Sequence, residues 1–111
     1  MTTTIETYEG WKNRETWATA LWLNNDEGLT NWVQDMTIVT LQGSEELSDK
    51  RYLLAESIEE YVTNLLDFRE YRETYGEPMP DGLQMMRDDI GSLYRVDWRE
   101  IADSFLEGVS E

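Results

Sequence analysis

Residues 11 to 28 read WKNRETWATALWLNNDEG and contain three of the five tryptophans of the chain. Between Trp17 and Leu23 only Thr19 is polar, so a helix here would be apolar around most of its circumference. A helix of that kind must be surrounded by other helices. We therefore expect the fold to be organised around it, with Trp22 and most of the other tryptophans packed in the core.

Polar residues at the two ends of this stretch predict where the helix begins and ends. Asn13 is the expected N-cap, because its side-chain oxygen can accept from backbone amides two or three residues later, and Glu15 suits the positive first turn. Asn24 or Asn25 is expected to stop the helix in the left-handed conformation. Asp26 would then cap the next helix.

A second amphipathic helix is predicted from about residue 26 to residue 36, because its apolar residues follow the i, i+3, i+4, i+7 pattern. These residues are Leu29, Trp32, Val33 and Met36. The β-branched segment from residue 37 to residue 41 fits either of two structures. We favour a helix that continues to about Leu41, and the alternative is a short strand.

The longest periodic run in the chain predicts a third helix, with Ser48 as the expected N-cap. Its apolar stripe covers four turns and consists of Leu54, Ile58, Tyr61, Val62, Leu65 and Phe68. Residues 70 to 82 then contain two glycines and two prolines, which predicts an exposed loop. A short fourth helix follows, weakened near its end by Gly91. Its stripe is Leu83, Met86, Ile90 and Leu93.

A fifth helix has the clearest start signal in the sequence. Asp97 as N-cap and Glu100 three residues later form a variant of the capping box. Val96 and Ile101 occupy the two positions of a hydrophobic staple. Gly108 is expected to end the helix.

These elements predict an all-α fold. The expected architecture is a single compact domain over residues 1 to 111, with about five helices around the tryptophan-rich helix. Residues 1 to 10 contain too few apolar side chains to define a period. They fit a flexible arm or a short threonine-rich edge strand.

The charge of the chain limits its partners. Nine basic residues stand against 24 acidic ones, giving a formal charge of −15. Such a surface repels nucleic acid and anionic membranes and favours a basic protein partner. No long apolar run and no export signal is visible, so we expect a cytoplasmic protein, in the host cytoplasm if a phage encodes it.

The residue types also limit the chemistry. Histidine and cysteine are both absent, which excludes Ser-His-Asp and Cys-His sites and histidine-ligated zinc. Glu56 and Glu60 lie one helical turn apart and could hold a hard cation, but a solvated helix face explains them more simply. We therefore expect no catalytic residues, no cofactor, no metal site and no enzymatic activity.

The stretch from Trp11 to Leu29 resembles a family of small acidic proteins from phages and other mobile elements of bacteria and archaea. The family signature reads roughly W-x-N-x-E-T-W, then an apolar helix, then N-D-E-G-L. The matching residues are Trp11, Asn13, Glu15, Thr16, Trp17, Leu21, Trp22, Asn25, Asp26, Glu27, Gly28 and Leu29. A weaker echo runs from Val96 to Ala102. The resemblance implies a phage or mobile-element origin and implies no chemistry.

Acidic residues at helical spacings suggest a partner-binding face. The predicted face consists of Glu56, Glu59, Glu60, Asp67, Glu70, Glu73, Asp88 and Asp89. Rows of this kind can imitate DNA phosphates, which leads to the hypothesis of a DNA-mimic inhibitor directed at a host defence protein, such as a restriction or CRISPR effector. The alternative is an acidic helical protein–protein interaction module without mimicry, whose specificity lies in its aromatic and apolar surface. A face that is merely solvated also fits the charge pattern.

Overall fold

The computed structural model describes residues 8 to 110, without the side chains of the last two of these residues. They form α1 (Arg14–Asn25), α2 (Glu27–Leu41), α3 (Leu47–Leu65), α4 (Phe68–Tyr75), α5 (Asp81–Ile90) and α6 (Trp98–Ser110), with a 3₁₀ turn (Leu93–Arg95) before α6. This range contains no strand, only an isolated bridge between Tyr8 and Trp11. The all-α prediction is confirmed, with six helices where about five were expected.

A tight turn precedes α1. The backbones of Tyr8 and Trp11 exchange two hydrogen bonds, at 2.7 and 2.8 Å. Glu9 and Gly10 between them have φ values of +50° and +87°, as the central residues of a type I′ turn require. The Tyr8 ring lies 4.9 Å from that of Trp17, so the turn packs on α1. The first seven residues of the predicted arm lie outside the described part of the chain.

The connection between α1 and α2 differs from the prediction in one respect. Asn13 and Asp26 are N-caps as expected, with Asp26 Oδ1 accepting from the amide of Leu29 at 3.0 Å. The predicted left-handed stop at Asn24 or Asn25 is wrong, because α1 runs to Asn25 and Asp26 is extended. Both asparagine amides donate to carbonyls four residues earlier, at 2.7 and 2.8 Å. The last turn is therefore satisfied without a left-handed residue.

The β-branched end of α2 is helical, as favoured over a strand. Thr37 is fully buried, and its hydroxyl donates to the carbonyl of Val33 at 2.7 Å. Thr40 makes the same i to i−4 bond to Met36 at 2.8 Å. These hydrogen bonds satisfy the threonine hydroxyls within the helix, so the β-branched segment remains helical.

The apolar stripe of the third predicted helix is interrupted by a cap. α3 ends at Leu65, and Asp67 Oδ1 accepts from the amides of residues 69 and 70 at the start of α4. Phe68 is therefore not part of that stripe, and it is 49% exposed. The loop predicted over residues 70 to 82 is wrong in its first part, which is helical as far as Tyr75. Within residues 70 to 82 the chain is non-helical only from Gly76 to Pro80.

Two other boundaries differ from expectation. α3 begins at Leu47, with Glu46 in the N-cap position, so Ser48 lies inside the first turn instead of capping it. α6 continues past Gly108 to Ser110. Gly91 does end α5, and its φ of +82° is one that glycine adopts without strain.

The core lies where α1, α2, α3 and α6 meet, with α3 and α6 sharing the most extensive interface. α1 contacts α2, α5, α6 and the 3₁₀ turn. It is not buried all round, since Leu21 is 43% exposed and Trp22 is only partly buried. Among the described residues, Trp98 is the one tryptophan that belongs to the buried core, and the other four are partly buried and pack against that core.

Along residues 8 to 110, no helix combines the length and the apolarity needed to cross a membrane.

Candidate functional site

The tryptophan-rich motif and its C-terminal echo meet in space through side-chain capping. Asn13 Oδ1 accepts from the amide of Thr16 at 2.8 Å and from its hydroxyl at 2.7 Å. The same Thr16 hydroxyl accepts from the backbone amide of Asp97 at 2.8 Å. Asn13 Nδ2 donates to the carbonyl of Arg95 at 2.8 Å. The N-termini of α1 and α6 are thus joined through one buried hydroxyl, and we call this network the interhelix clasp.

Glu100 takes part in the same clasp, which corrects the predicted capping box. Asp97 Oδ1 accepts from the amide of Glu100 at 3.2 Å, as expected of an N-cap. The reciprocal bond is absent, because the Asp97 amide already donates to Thr16. Glu100 Oε1 accepts from the amide of Lys12 instead, at 3.0 Å. Asn13 and Thr16 of the motif, and Asp97 and Glu100 of its echo, therefore have a structural role in joining two helices.

The predicted acidic face has its densest part on α3. Glu56, Glu59 and Glu60 are exposed, and none of them belongs to an ion pair among the described residues. We call these three residues the α3 acidic cluster. Their spacings of three and four residues place neighbouring side chains about 5–6 Å apart at Cβ. The cluster therefore places three carboxylates on one helix, none of them within ion-pair distance of a basic side chain of the described residues.

The acidic side chains of α4 and its N-cap are less free to contact a partner than those of the α3 acidic cluster. The Asp67 carboxylate caps α4, and Glu73 pairs with Arg69 at 3.5 Å. That pair is well exposed on both sides, so it contributes little to stability. Glu70 is exposed and has no ion pair within the part of the chain described here. Only Glu70 of this group has a carboxylate free of internal interactions.

The two acids of α5 have different surroundings. Asp88 is exposed, whereas Asp89 accepts from the indole Nε1 of Trp22 at 2.9 Å and from Arg14 Nη2 at 3.0 Å. Arg14 Nη1 also donates to the backbone carbonyl of Asp89 at 2.7 Å. Asp89 thus attaches α5 to α1. Trp22, expected in the core, has its polar edge at this contact.

Replacing Asp89 with alanine is expected to lower the free energy of unfolding by about 1–2 kcal/mol, because the indole N–H of Trp22 and the Arg14 guanidinium lose their acceptor. Asp88→Ala, one residue away on the same helix, removes the same charge without removing a bond. Its cost is expected within about 0.5 kcal/mol. Urea denaturation of both variants measures the difference. Equal stabilities would mean that the Asp89 contacts contribute nothing.

An open cavity of about 360 Å³ lies between α2, α3 and α4 beside the α3 acidic cluster. Its lining residues are Trp32, Met36, Glu56, Ser57, Glu60, Tyr61, Asn64, Leu65, Thr74 and Tyr75. We call it the aromatic groove. Trp32 and Tyr61 stack there with ring centroids 3.8 Å apart and planes 7° apart. Burial, and then the charges of Tyr75 and Asp26, raise the pKa of the Tyr61 phenol above its ordinary value, so the phenol is neutral at pH 7 as an exposed tyrosine also is.

A second open cavity, of about 540 Å³, lies on the other side of α3, between that helix and the start of α6. It is lined by four of the nine basic residues, namely Lys12, Arg51, Arg95 and Arg99. All but Arg99 form ion pairs, at 3.1 to 3.9 Å, with acids of the described chain. Glu59 lines this cavity and Glu60 lines the aromatic groove, while Glu56 lines both. The cavity is therefore not a strongly positive site.

The second cavity was not predicted, because its basic residues are scattered from position 12 to position 99 and only the fold brings them together. It also contains Tyr94, which is 89% exposed, and Tyr52, which is 50% exposed. The Arg99 guanidinium lies 5.7 Å from the centroid of the Tyr52 ring. Within residues 8 to 110, no group of three or more acidic, histidine or cysteine side chains is arranged to hold a metal ion.

Comparison with known proteins adds a family and no activity. The family model described as "Family of unknown function (DUF7249)" matches residues 4–105. No curated protein matches the chain significantly. No solved structure matches it significantly either.

Proposed function

This chain belongs to the family of unknown function DUF7249, and from its surface we propose that it binds and inhibits a basic, nucleic-acid-binding protein of a host cell. The observation that carries this proposal is the α3 acidic cluster, exposed and without a basic partner among the described residues. The proposal includes an origin in a phage or other mobile element, and a site of action in the host cytoplasm.

Charge supports a cationic protein target. The chain from Tyr52 to Phe68 contains no basic residue, so nothing on that part of α3 offsets the cluster. A net charge of −15 accelerates association with a positively charged groove and disfavours nucleic acid as the ligand. A groove that normally holds phosphates is a cationic surface of this kind.

The proposed mimicry of DNA involves only a few carboxylates. Duplex DNA carries one charge per ~1.7 Å of its axis, which is denser than the acids of α3. Asp67, Glu73 and Asp89 already serve a cap, an ion pair and an interhelix contact. The proposed binding surface is therefore the α3 acidic cluster, which imitates a few phosphates and not a length of duplex.

A second candidate is a protein–protein interaction module without phosphate mimicry. The observation that favours it is the exposure of Tyr52 and Tyr94 in the cavity that also contains Arg99. Tyrosine, tryptophan and arginine are enriched where interfaces bind most strongly. Docking through such a surface would depend weakly on salt, whereas binding through the acidic cluster would weaken steeply as salt rises.

The test is to convert all three residues of the α3 acidic cluster to glutamine. The target is first recovered from bacterial lysate by affinity capture at low and at high salt. Binding of the purified target is expected to weaken about tenfold at about 50 mM salt, with a shallower decline up to about 300 mM, because fewer charge contacts remain. The melting temperature should stay equal or rise slightly, because mutual repulsion is relieved.

A matched control carries the same change in net charge at exposed acids elsewhere on the chain. These substitutions are Asp35→Asn, Glu45→Gln and Glu77→Gln. This control is expected to keep its affinity within about twofold of the parent protein, since general attraction changes little. Equal binding of the cluster variant and the control, with parallel salt slopes, would mean that the acidic cluster is only solvated. The protein–protein interaction module would then be the favoured function.

A further inference from the structure

The aromatic groove differs from a plain acidic helix face. It is a concave space of about 360 Å³, near the lower end of the ~300–1,000 Å³ typical of ligand pockets. It draws side chains from three helices, with Trp32 on α2, Tyr61 on α3 and Tyr75 on α4. A space of this size accommodates one or two side chains of a partner and no large ligand.

Its charge selects for a cation. Glu56 and Glu60 line it, and no lysine or arginine does so within the part of the chain that the structure describes. Neither carboxylate has a basic partner within ion-pair distance among the described residues. The Tyr61 phenol adds no charge at neutral pH, so the charges that residues 8 to 108 contribute to the groove lining are both negative.

Its aromatic residues select among cations. The stacked Trp32 and Tyr61 rings and the half-exposed Tyr75 line the groove together with the two carboxylates. A cation over an aromatic ring is attracted by its quadrupole, most strongly over tryptophan. A guanidinium is planar, stacks on such rings and has five donors in a fixed fork, whereas an ammonium is a compact and strongly hydrated charge.

We propose that the aromatic groove receives an arginine side chain from a basic segment of a protein partner. The guanidinium stacks on the aromatic residues and donates to the carboxylates of Glu56 and Glu60, which lie one helical turn apart. This inference deepens the proposed function, on which it rests for the identity of the partner. It adds a specific contact to an otherwise diffuse electrostatic attraction.

The experiment compares two single substitutions on α3 that change the charge equally. Glu60→Gln alters the aromatic groove, whereas Glu59→Gln alters an acid that lines only the second cavity. The probe is a synthetic peptide with three arginines separated by Gly-Ser pairs, titrated into the full chain by calorimetry at about 50 mM salt. Glu60→Gln is expected to weaken binding about fivefold, and Glu59→Gln by less than about twofold.

Two further arms test the aromatic part. A peptide with lysine in place of arginine is expected to bind the parent protein about fivefold more weakly. Tyr75→Ala is expected to weaken binding of the arginine peptide, while Tyr94→Ala, at the more exposed tyrosine of the second cavity, leaves it unchanged. Circular dichroism melts of each variant establish that the fold is intact at the titration temperature.

These experiments distinguish failure of the arginine-binding groove from failure of the proposed function. Equal losses for Glu59→Gln and Glu60→Gln, or equal binding of the two peptides, would overturn the groove and leave binding through the acidic cluster standing. Arginine-selective binding that Glu60→Gln reduces and Glu59→Gln does not would support the groove, even if no host target is recovered by affinity capture.

Discussion

Leu54→Ala is expected to lower the free energy of unfolding by about 2–5 kcal/mol, the usual cost of truncating a buried leucine and leaving a cavity. The Leu54 side chain is fully buried in the core cluster, and it lies on α3, the longest helix. α3 contacts α2, α4 and α6, so a cavity here removes packing near the centre of the molecule.

Leu53→Ala is the matched control, because it makes the same chemical change one residue away on the same helix. Leu53 is 40% exposed, so its expected cost is about 1 kcal/mol. Both substitutions gain the same small amount of helix propensity, which cancels in the comparison. Urea denaturation with an unchanged slope measures the two costs. Similar values for both variants would mean that the position of the core along α3 is wrongly assigned.

Features of the fold that depend on local contacts were predictable from the sequence. The caps at Asn13 and Asp26 and the start of α6 after Asp97 follow from a side chain that reaches an amide two or three residues later. The break between α3 and α4 was missed, because Phe68 continues the apolar period of α3 and conceals Asp67 as a cap. Hydrophobic periodicity does not reveal where a backbone changes direction within a continuous pattern.

In the candidate site too, features within one helix were predictable from the sequence, and contacts between helices were not. The α3 acidic cluster was predictable, because its three residues share one helix and their spacing is fixed by it. The role of Asp89 was not, since its bond to Trp22 joins residues 67 positions apart. The aromatic groove likewise requires α2, α3 and α4 to be placed beside one another. No pattern along the chain encodes such a contact without the packing of the whole fold.

Thr16→Val is expected to lower the free energy of unfolding by about 1–3 kcal/mol through the interhelix clasp. Valine keeps the shape and the β-branched character of threonine, so packing and helix propensity change little. The lost hydroxyl leaves the Asp97 amide without its acceptor and removes one of the two donors to Asn13 Oδ1. Thr16 is fully buried, so water does not readily replace these bonds.

Thr19→Val is the control for this prediction, since Thr19 is also fully buried and lies one turn later on α1. Its hydroxyl donates only to the carbonyl of Glu15, at 2.8 Å, and that carbonyl keeps its helical hydrogen bond when the hydroxyl is removed. The expected cost is within about 0.5 kcal/mol. Urea denaturation gives both values, and hydrogen exchange identifies the clasp, because the Asp97 amide should exchange faster in Thr16→Val alone. Equal costs with unchanged exchange at Asp97 would mean that α6 is attached to α1 by packing, and that the shared hydroxyl does not stabilise the fold.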